Sequence, residues 1–128
     1  MDLKSYFENT NGTGILSTAD SEGNVDSAIY ARPHVMEDGS LALIMRDRLS
    51  HHNLQSNPKA AYMFIEQGQG YQGKRLFLTK IHEEEDQEKI QAMSRRSQHS
   101  QASSPGQENM FLVYFRVEKE LPLIGSGK

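Results

Sequence analysis

The stretch "MRDRLSHHNLQSNP", Met45 to Pro58, gathers the groups in this chain best suited to holding a ligand. It carries Arg46, Arg48, Ser50, the adjacent pair His51 and His52, and Asn53, in a chain of net charge −3. Three chemistries use such groups. Metal ligation fits poorly, because neighbouring helical side chains point about 100° apart, so His51 and His52 do not share one ion. No carboxylate or third histidine follows at i+4 to complete a set. Nucleic-acid binding fits less well still, since the basic cluster is short and has no interleaved aromatics on which bases could stack. Phosphate binding uses every component. A strand ends, arginines follow, and a serine opens a helix whose first turn offers unpaired N–H groups and a positive dipole end. The planar fork of an arginine matches two phosphate oxygens. Spacing alone also leaves a plainer account open, and slightly ahead: Arg46 and Arg48 as solvated charges, Ser50 as a helix N-cap, the histidines as ordinary helix residues.

Elsewhere the chemistry thins out. The chain has no cysteine, which excludes disulfides, zinc–cysteine sites and thiol catalysis. No Gly-x-Ser-x-Gly nucleophile signature occurs. "GTG" and "GQGYQG" are not dinucleotide fingerprints, because neither lies between a strand and a helix. The acidic run "HEEEDQE", His82 to Glu88, reads as a solvated helix start and not as a paired-carboxylate site. Met36, Met45, Met63 and Met110 read as core filler. Tyr71 is read as a loop anchor, with a lid as the alternative, and no catalytic acid or base stands out.

The elements that must position these groups follow from periodicity. "DLKSYFENTN" predicts a short helix with Leu3, Tyr6 and Phe7 on one side. "TGILSTAD" predicts a strand, and "SEGN" has turn chemistry. "VDSAIYARPHV" alternates, with Val25, Ser27, Ile29, Ala31, Pro33 and Val35 on one face and Asp26, Ala28, Tyr30, Arg32 and His34 on the other. Pro33 lacks an N–H, so this strand is expected to be irregular or at an edge there. "LALIMR" predicts a strand buried on both faces. A short helix over about Ser50 to Ser56 follows, stopped at Asn57-Pro58. "KAAYMFIE", "KRLFLTKIH" and "MFLVYFRVEKEL" predict three more strands. "EEEDQEKIQAMSRRSQ" predicts a helix with a thin apolar face, Ile90 and Met93, and with Arg95 and Arg96 placed to suit its dipole. "HSQASSPGQEN" is too polar to pack and is expected to be mobile.

About six strands at short spacing, with hairpin turns, suggest a six-stranded antiparallel barrel with a few helices, a mainly β fold. Closure also protects apolar strands from edge-to-edge pairing. At 128 residues the chain is expected to form one domain, 1–128. Its low mean hydropathy of −0.68 suggests that part of its surface is buried against a second copy. No signal peptide or membrane-length apolar run is evident, so a cytoplasmic location is expected, with no membrane association. The acidic balance argues against a nucleic-acid partner.

The order of these parts resembles the FMN-binding split-barrel proteins related to pyridoxamine 5′-phosphate oxidase. The resemblance covers roughly Thr13 to His82. It rests on "SAIYARP", the turn "EDG", the strand "LALIMR", and then "RLSHHNLQSNPKAAYMFI", with Asn53-Leu54, Asn57-Pro58 and "AAYMFI" at the family's places. It implies a homodimeric split barrel with an FMN site at each of two places along the interface. By position it implies that Arg48 and Ser50 contact the FMN phosphate, with Arg46, His51, His52 and Asn53 nearby. Tyr30 and Arg32 would lie beside the ring and ribityl chain. The backbone of Leu43, Ile44 and Met45 would run along the isoalloxazine, and Lys74 and Arg75 would make polar contacts to it. A flavin-dependent oxidoreductase of unknown substrate is the activity implied.

Two departures are visible. The family's frequent Ser-Arg-Lys triplet is here Arg48-Leu49-Ser50, one cation short, and a histidine replaces that charge only when protonated. The C-terminal arginine-rich motif that holds the substrate in true pyridoxamine phosphate oxidases is absent from "VEKELPLIGSGK", so vitamin B6 oxidation is not expected. The alternatives are a binding module without turnover for a deazaflavin or for haem, with His34, His51, His52, His82 and His99 as possible haem ligands, and a cofactor-free dimeric interaction domain.

Overall fold

The computed structural model describes residues 2–97 and 110–125, without the side chains of residues 95–97. Three expectations therefore lie outside the described residues: the mobility of the 98–109 loop, the dipole role of Arg95 and Arg96, and His99 as a haem ligand. The elements run α1 (Leu3–Asn9), β1 (Gly12–Ala19), β2 (Val25–Tyr30), β3 (His34–Val35), β4 (Leu41–Arg46), α2 (Leu49–Ser56), β5 (Lys59–Glu66), β6 (Gly73–Glu84), α3 (Gln87–Ser97) and β7 (Met110–Pro122).

The seven strands form one antiparallel sheet in the order β2-β1-β5-β6-β7-β4-β3. The sequence suggests a single strand from Val25 to Val35. The structure breaks it at Ala31–Pro33 and sends its halves to opposite edges of the sheet. Flat, the seven strands would span about 29 Å at the usual inter-strand spacing. The chain from Tyr30 to His34 reaches at most about 14 Å. The sheet must therefore curl until its edges approach. Those edge strands do not pair with each other, so the barrel is split between them. A hydrogen bond from the Tyr62 hydroxyl on β5 to the Ala31 carbonyl, 3.0 Å, holds the crossing segment.

Alternation sorts the side chains. Leu16, Tyr62, Phe64, Leu76, Leu78, Phe111, Val113 and Phe115 fill the barrel with Leu41, Leu43 and Met45 from β4. Tyr6 and Phe7 of α1 meet Phe64 edge-on, with ring centroids 5.9 and 5.3 Å away. Asp2 caps α1 by accepting from the Ser5 N–H at 2.8 Å. On the outer face, Ile90 and Met93 of α3 cover Leu112, Tyr114, Ala42 and Ile44. β4 is thus buried on both faces, as its unbroken apolar run suggests.

β6 is longer than its sequence pattern suggests. Glu83 and Glu84, expected to open the helix, instead pair with Val113 and Leu112 of β7, and α3 begins at Gln87. Pairing along the length of β7 outweighs the helical preference of glutamate. The cap is Asp86, whose Oδ1 accepts from the Lys89 N–H at 3.1 Å.

Candidate functional site

The split is where polar side chains of β2 meet the start of α2. Two elements line it: β2 on one side and β4 on the other, with α2 packed against both and against β1. β3 covers β4 only at Leu41 and Ala42. Among the described residues no strand pairs with that edge of β4 from Leu43 to Arg46, and at its end the Arg46 carbonyl accepts from the Arg48 N–H at 2.8 Å. The strand then runs directly into α2.

α2 starts one residue earlier than its sequence suggests. Arg48 occupies the N-cap, so Ser50 stands inside the first turn and is not the cap. The Arg48 side chain makes no capping hydrogen bond and the first turn holds no acid. A helix start of this kind suits an anion. The Ser50 side chain, only 4% exposed, points at β2 and donates to Asp26 Oδ2 at 3.2 Å. Tyr30, on the same strand face as Asp26, is also a hydrogen-bond partner of Ser50. Burial pushes the Tyr30 phenol above its ordinary value. The Ser50 hydrogen bond lowers it, Asp26 raises it and Arg48 lowers it. Tyr30, Asp26, Ser50 and Arg48 therefore form one polar group at the split. Asp26 did not enter the sequence-based site, although alternation already put it on the face of Tyr30.

The remaining expected site residues scatter. Leu43 and Met45 turn their side chains into the barrel core, while Ile44 packs under α3, so only their backbone faces the split. Arg46 ends β4, half-buried. His51 is 6% exposed and faces away from Ser50. Its ring stacks on Phe111 at 3.9 Å, Nδ1 lies 3.4 Å from Asp47 and Nε2 lies 3.1 Å from Glu83. His52 is exposed. Asn53 is buried and donates to Thr18 Oγ1 of β1 at 3.0 Å, a tether for the helix. Arg32 donates to the Phe7 and Thr10 carbonyls at 2.9 and 3.1 Å and closes the C-terminal end of α1. Lys74 and Arg75 lie on β6, three strands from β2. Lys74 pairs with Glu120 and sits 4.7 Å from the centroid of the Tyr6 ring, and Arg75 donates to the Pro122 carbonyl at 2.8 Å. Asp47, Glu83 and Phe111, which fix His51, are further residues the sequence did not single out.

Among the described residues no group of three His, Asp or Glu side chains is arranged to hold a metal ion, and no helix is long and apolar enough to cross a membrane. The donors at the split suit a phosphate-bearing ligand: the uncapped helix start, Arg48, and the hydroxyls of Ser50 and Tyr30. Asp26 is the discordant charge.

The sequence matches no family model and no curated protein. Solved structures do match. An FMN-binding protein from Syntrophomonas wolfei subsp. wolfei superposes with a TM-score of 0.77 at 17% identity, covering 97% of this chain and 85% of that one. An F420 reductase gives 0.71 at 12% identity, over 94% and 98% of the two chains. A candidate pyridoxamine 5′-phosphate oxidase from Lactobacillus delbrueckii gives 0.69 at 17%, over 94% and 92%. At these identities the likeness concerns the fold, and it extends over nearly the whole chain: this protein has the split-barrel fold of the pyridoxamine 5′-phosphate oxidase-like proteins.

Proposed function

We propose that the protein binds a flavin, FMN in the first place, at the split beside α2, and that it serves flavin-dependent redox chemistry as a homodimer. The observation that carries this reading is the convergence of an uncovered strand edge with an uncapped helix start. In this reading Arg48, Ser50 and the first-turn N–H groups hold the phosphate, with Arg46 adding positive charge. Backbone groups of Leu43, Ile44 and Met45 hydrogen-bond the ring system, and Tyr30 flanks it. A bound flavin supplies the electron or hydride transfer itself, while the protein positions and tunes it.

The dimer rests on the outer face of the same strand. Val25 and Ile29 are 81% and 77% exposed. Register sets Ile29 beside Ile15 and Ile15 beside Met63, so apolar side chains continue across three strands. Exposed apolar side chains on one sheet face, here around the hydrogen-bonded Ser17–Ser27 pair, mark an association surface. β2 would then offer Asp26 and Tyr30 to the ligand and Val25 and Ile29 to the second copy.

The fold shared with an F420 reductase favours one further reading, a deazaflavin in the same groove. Titration of the purified protein with FMN, FAD and F420 separates the two, and the visible spectrum as isolated reports flavin or haem directly. Arg48→Glu is expected to weaken FMN binding about tenfold or more while leaving the melting temperature unchanged. A protein that ignores all three ligands and lacks visible absorbance is instead a cofactor-free dimeric domain.

A further inference from the structure

We infer that Asp26 is a specificity determinant of this groove, narrowing its preference between a flavin ending in phosphate and one ending in a hydroxyl. The inference rests on the flavin reading above. Three observations lead to it.

The carboxylate is held in place. Ser50 and Asn53, three residues apart, share a face of α2. Asp26 and Thr18, their respective partners, are directly opposed across β2 and β1. Docking of the helix therefore sets Asp26 against the Ser50 hydroxyl as part of the fold.

The hydroxyl that a phosphate would use is already engaged. Ser50 donates its one proton to Asp26 at 3.2 Å. A phosphate oxygen accepting from Ser50 must take that proton away from Asp26. It would also lie about 3 Å from the Ser50 oxygen, hence within about 6 Å of the carboxylate. Two anions at that separation repel, and both compete for Arg48, whose charge acts on Tyr30 beside them.

A neutral end-group meets the opposite environment. The terminal hydroxyl of riboflavin can donate to Asp26 and needs no displacement of Ser50. Asp26 therefore costs FMN affinity and leaves riboflavin unharmed. Uncapped helix start and arginine favour the phosphate, the carboxylate opposes it, and the ratio of the two affinities reads the balance.

The test is titration of the purified protein with FMN and with riboflavin, followed by flavin fluorescence, in wild type, Asp26→Asn, Asp26→Ala and Ser50→Ala, with thermal melts to establish folding. Removing the carboxylate is expected to raise the ratio of FMN to riboflavin affinity about tenfold or more, in the same direction for both Asp26 variants. Ser50→Ala, which keeps the charge, should not raise it. A ratio unchanged within about twofold, or a lower one, in a folded Asp26 variant of a wild type that binds flavin overturns the inference and leaves the flavin reading standing. A wild type and variants that bind neither flavin overturn both.

Discussion

Gly14 shows how one missing methyl group fixes the barrel. A Cβ there would stand 1.9 Å from the Tyr62 hydroxyl and 2.8 Å from the Tyr30 carbonyl. The phenol passes over Gly14 to reach Ala31, so a side chain at this position closes its path. Gly14→Ala is expected to cost about 1–3 kcal/mol in urea denaturation, and Tyr62→Phe in the same background should recover part of that loss. Glu83 makes a second prediction. Burial pushes its carboxyl up, but hydrogen bonds from Lys80, His51 and Gln55 together hold it below its ordinary value of 4.5. An acid depressed in the folded state contributes stability above its unfolded value and loses it as pH falls through its folded value. Glu83→Gln should therefore destabilise the protein by about 1 kcal/mol near neutral pH. The gap to wild type should close in acid below 4.5, as denaturant midpoints across pH will show.

At the scale of elements, α2 decides the geometry of the split. Two of its faces tie it down: Ser50 to Asp26 on β2 and Asn53 to Thr18 on β1 from one, and His51 to Glu83 on β6 from another. Asn53→Ala leaves the Thr18 hydroxyl buried without its donor and should cost about 1–2 kcal/mol. If flavin binding uses this helix start, the same change should weaken FMN as well, because the phosphate donors move with the helix, and calorimetric titration measures both effects on one preparation. The opposite edge of the site depends on how briefly β3 pairs with β4, at two residues only. A longer β3 would cover the backbone that the ring is proposed to use.

For the whole molecule, the curl of the sheet and the apolar outer face of β2 belong together. The short crossing at Ala31–Pro33 brings both edges to one side, and the alternation of β2 then leaves Val25 and Ile29 on the outer face. Association with a second copy would remove this surface from water. Ile29→Glu is expected to yield a monomer by light scattering, since burying an unpaired charge is strongly unfavourable. FMN binding should fall with it if the sites lie along the interface.

Much of this was open to inspection in one dimension. Periodicity and turn chemistry located the three helices and most of the strands, because which face a residue presents follows from local backbone geometry, but they missed the break in the Val25–Val35 strand and the end of β6 at Glu84. The unbroken run of β4 announced its burial on both faces, and Asn57-Pro58 marked where α2 must stop. The polar stretch after β4 also named Arg48 and Ser50 as neighbours. Three things waited for the tertiary structure: that one alternating strand is cut at Ala31–Pro33 and shared between opposite edges, that Glu83 and Glu84 pair in a sheet, and that His51 turns towards Glu83 while Ser50 turns towards Asp26. Each depends on a partner more than twenty residues away or on sheet closure. Propensity and spacing carry no information about such partners; the choice among them is made when the chain buries its apolar faces and the polar groups left at the seams must find one another.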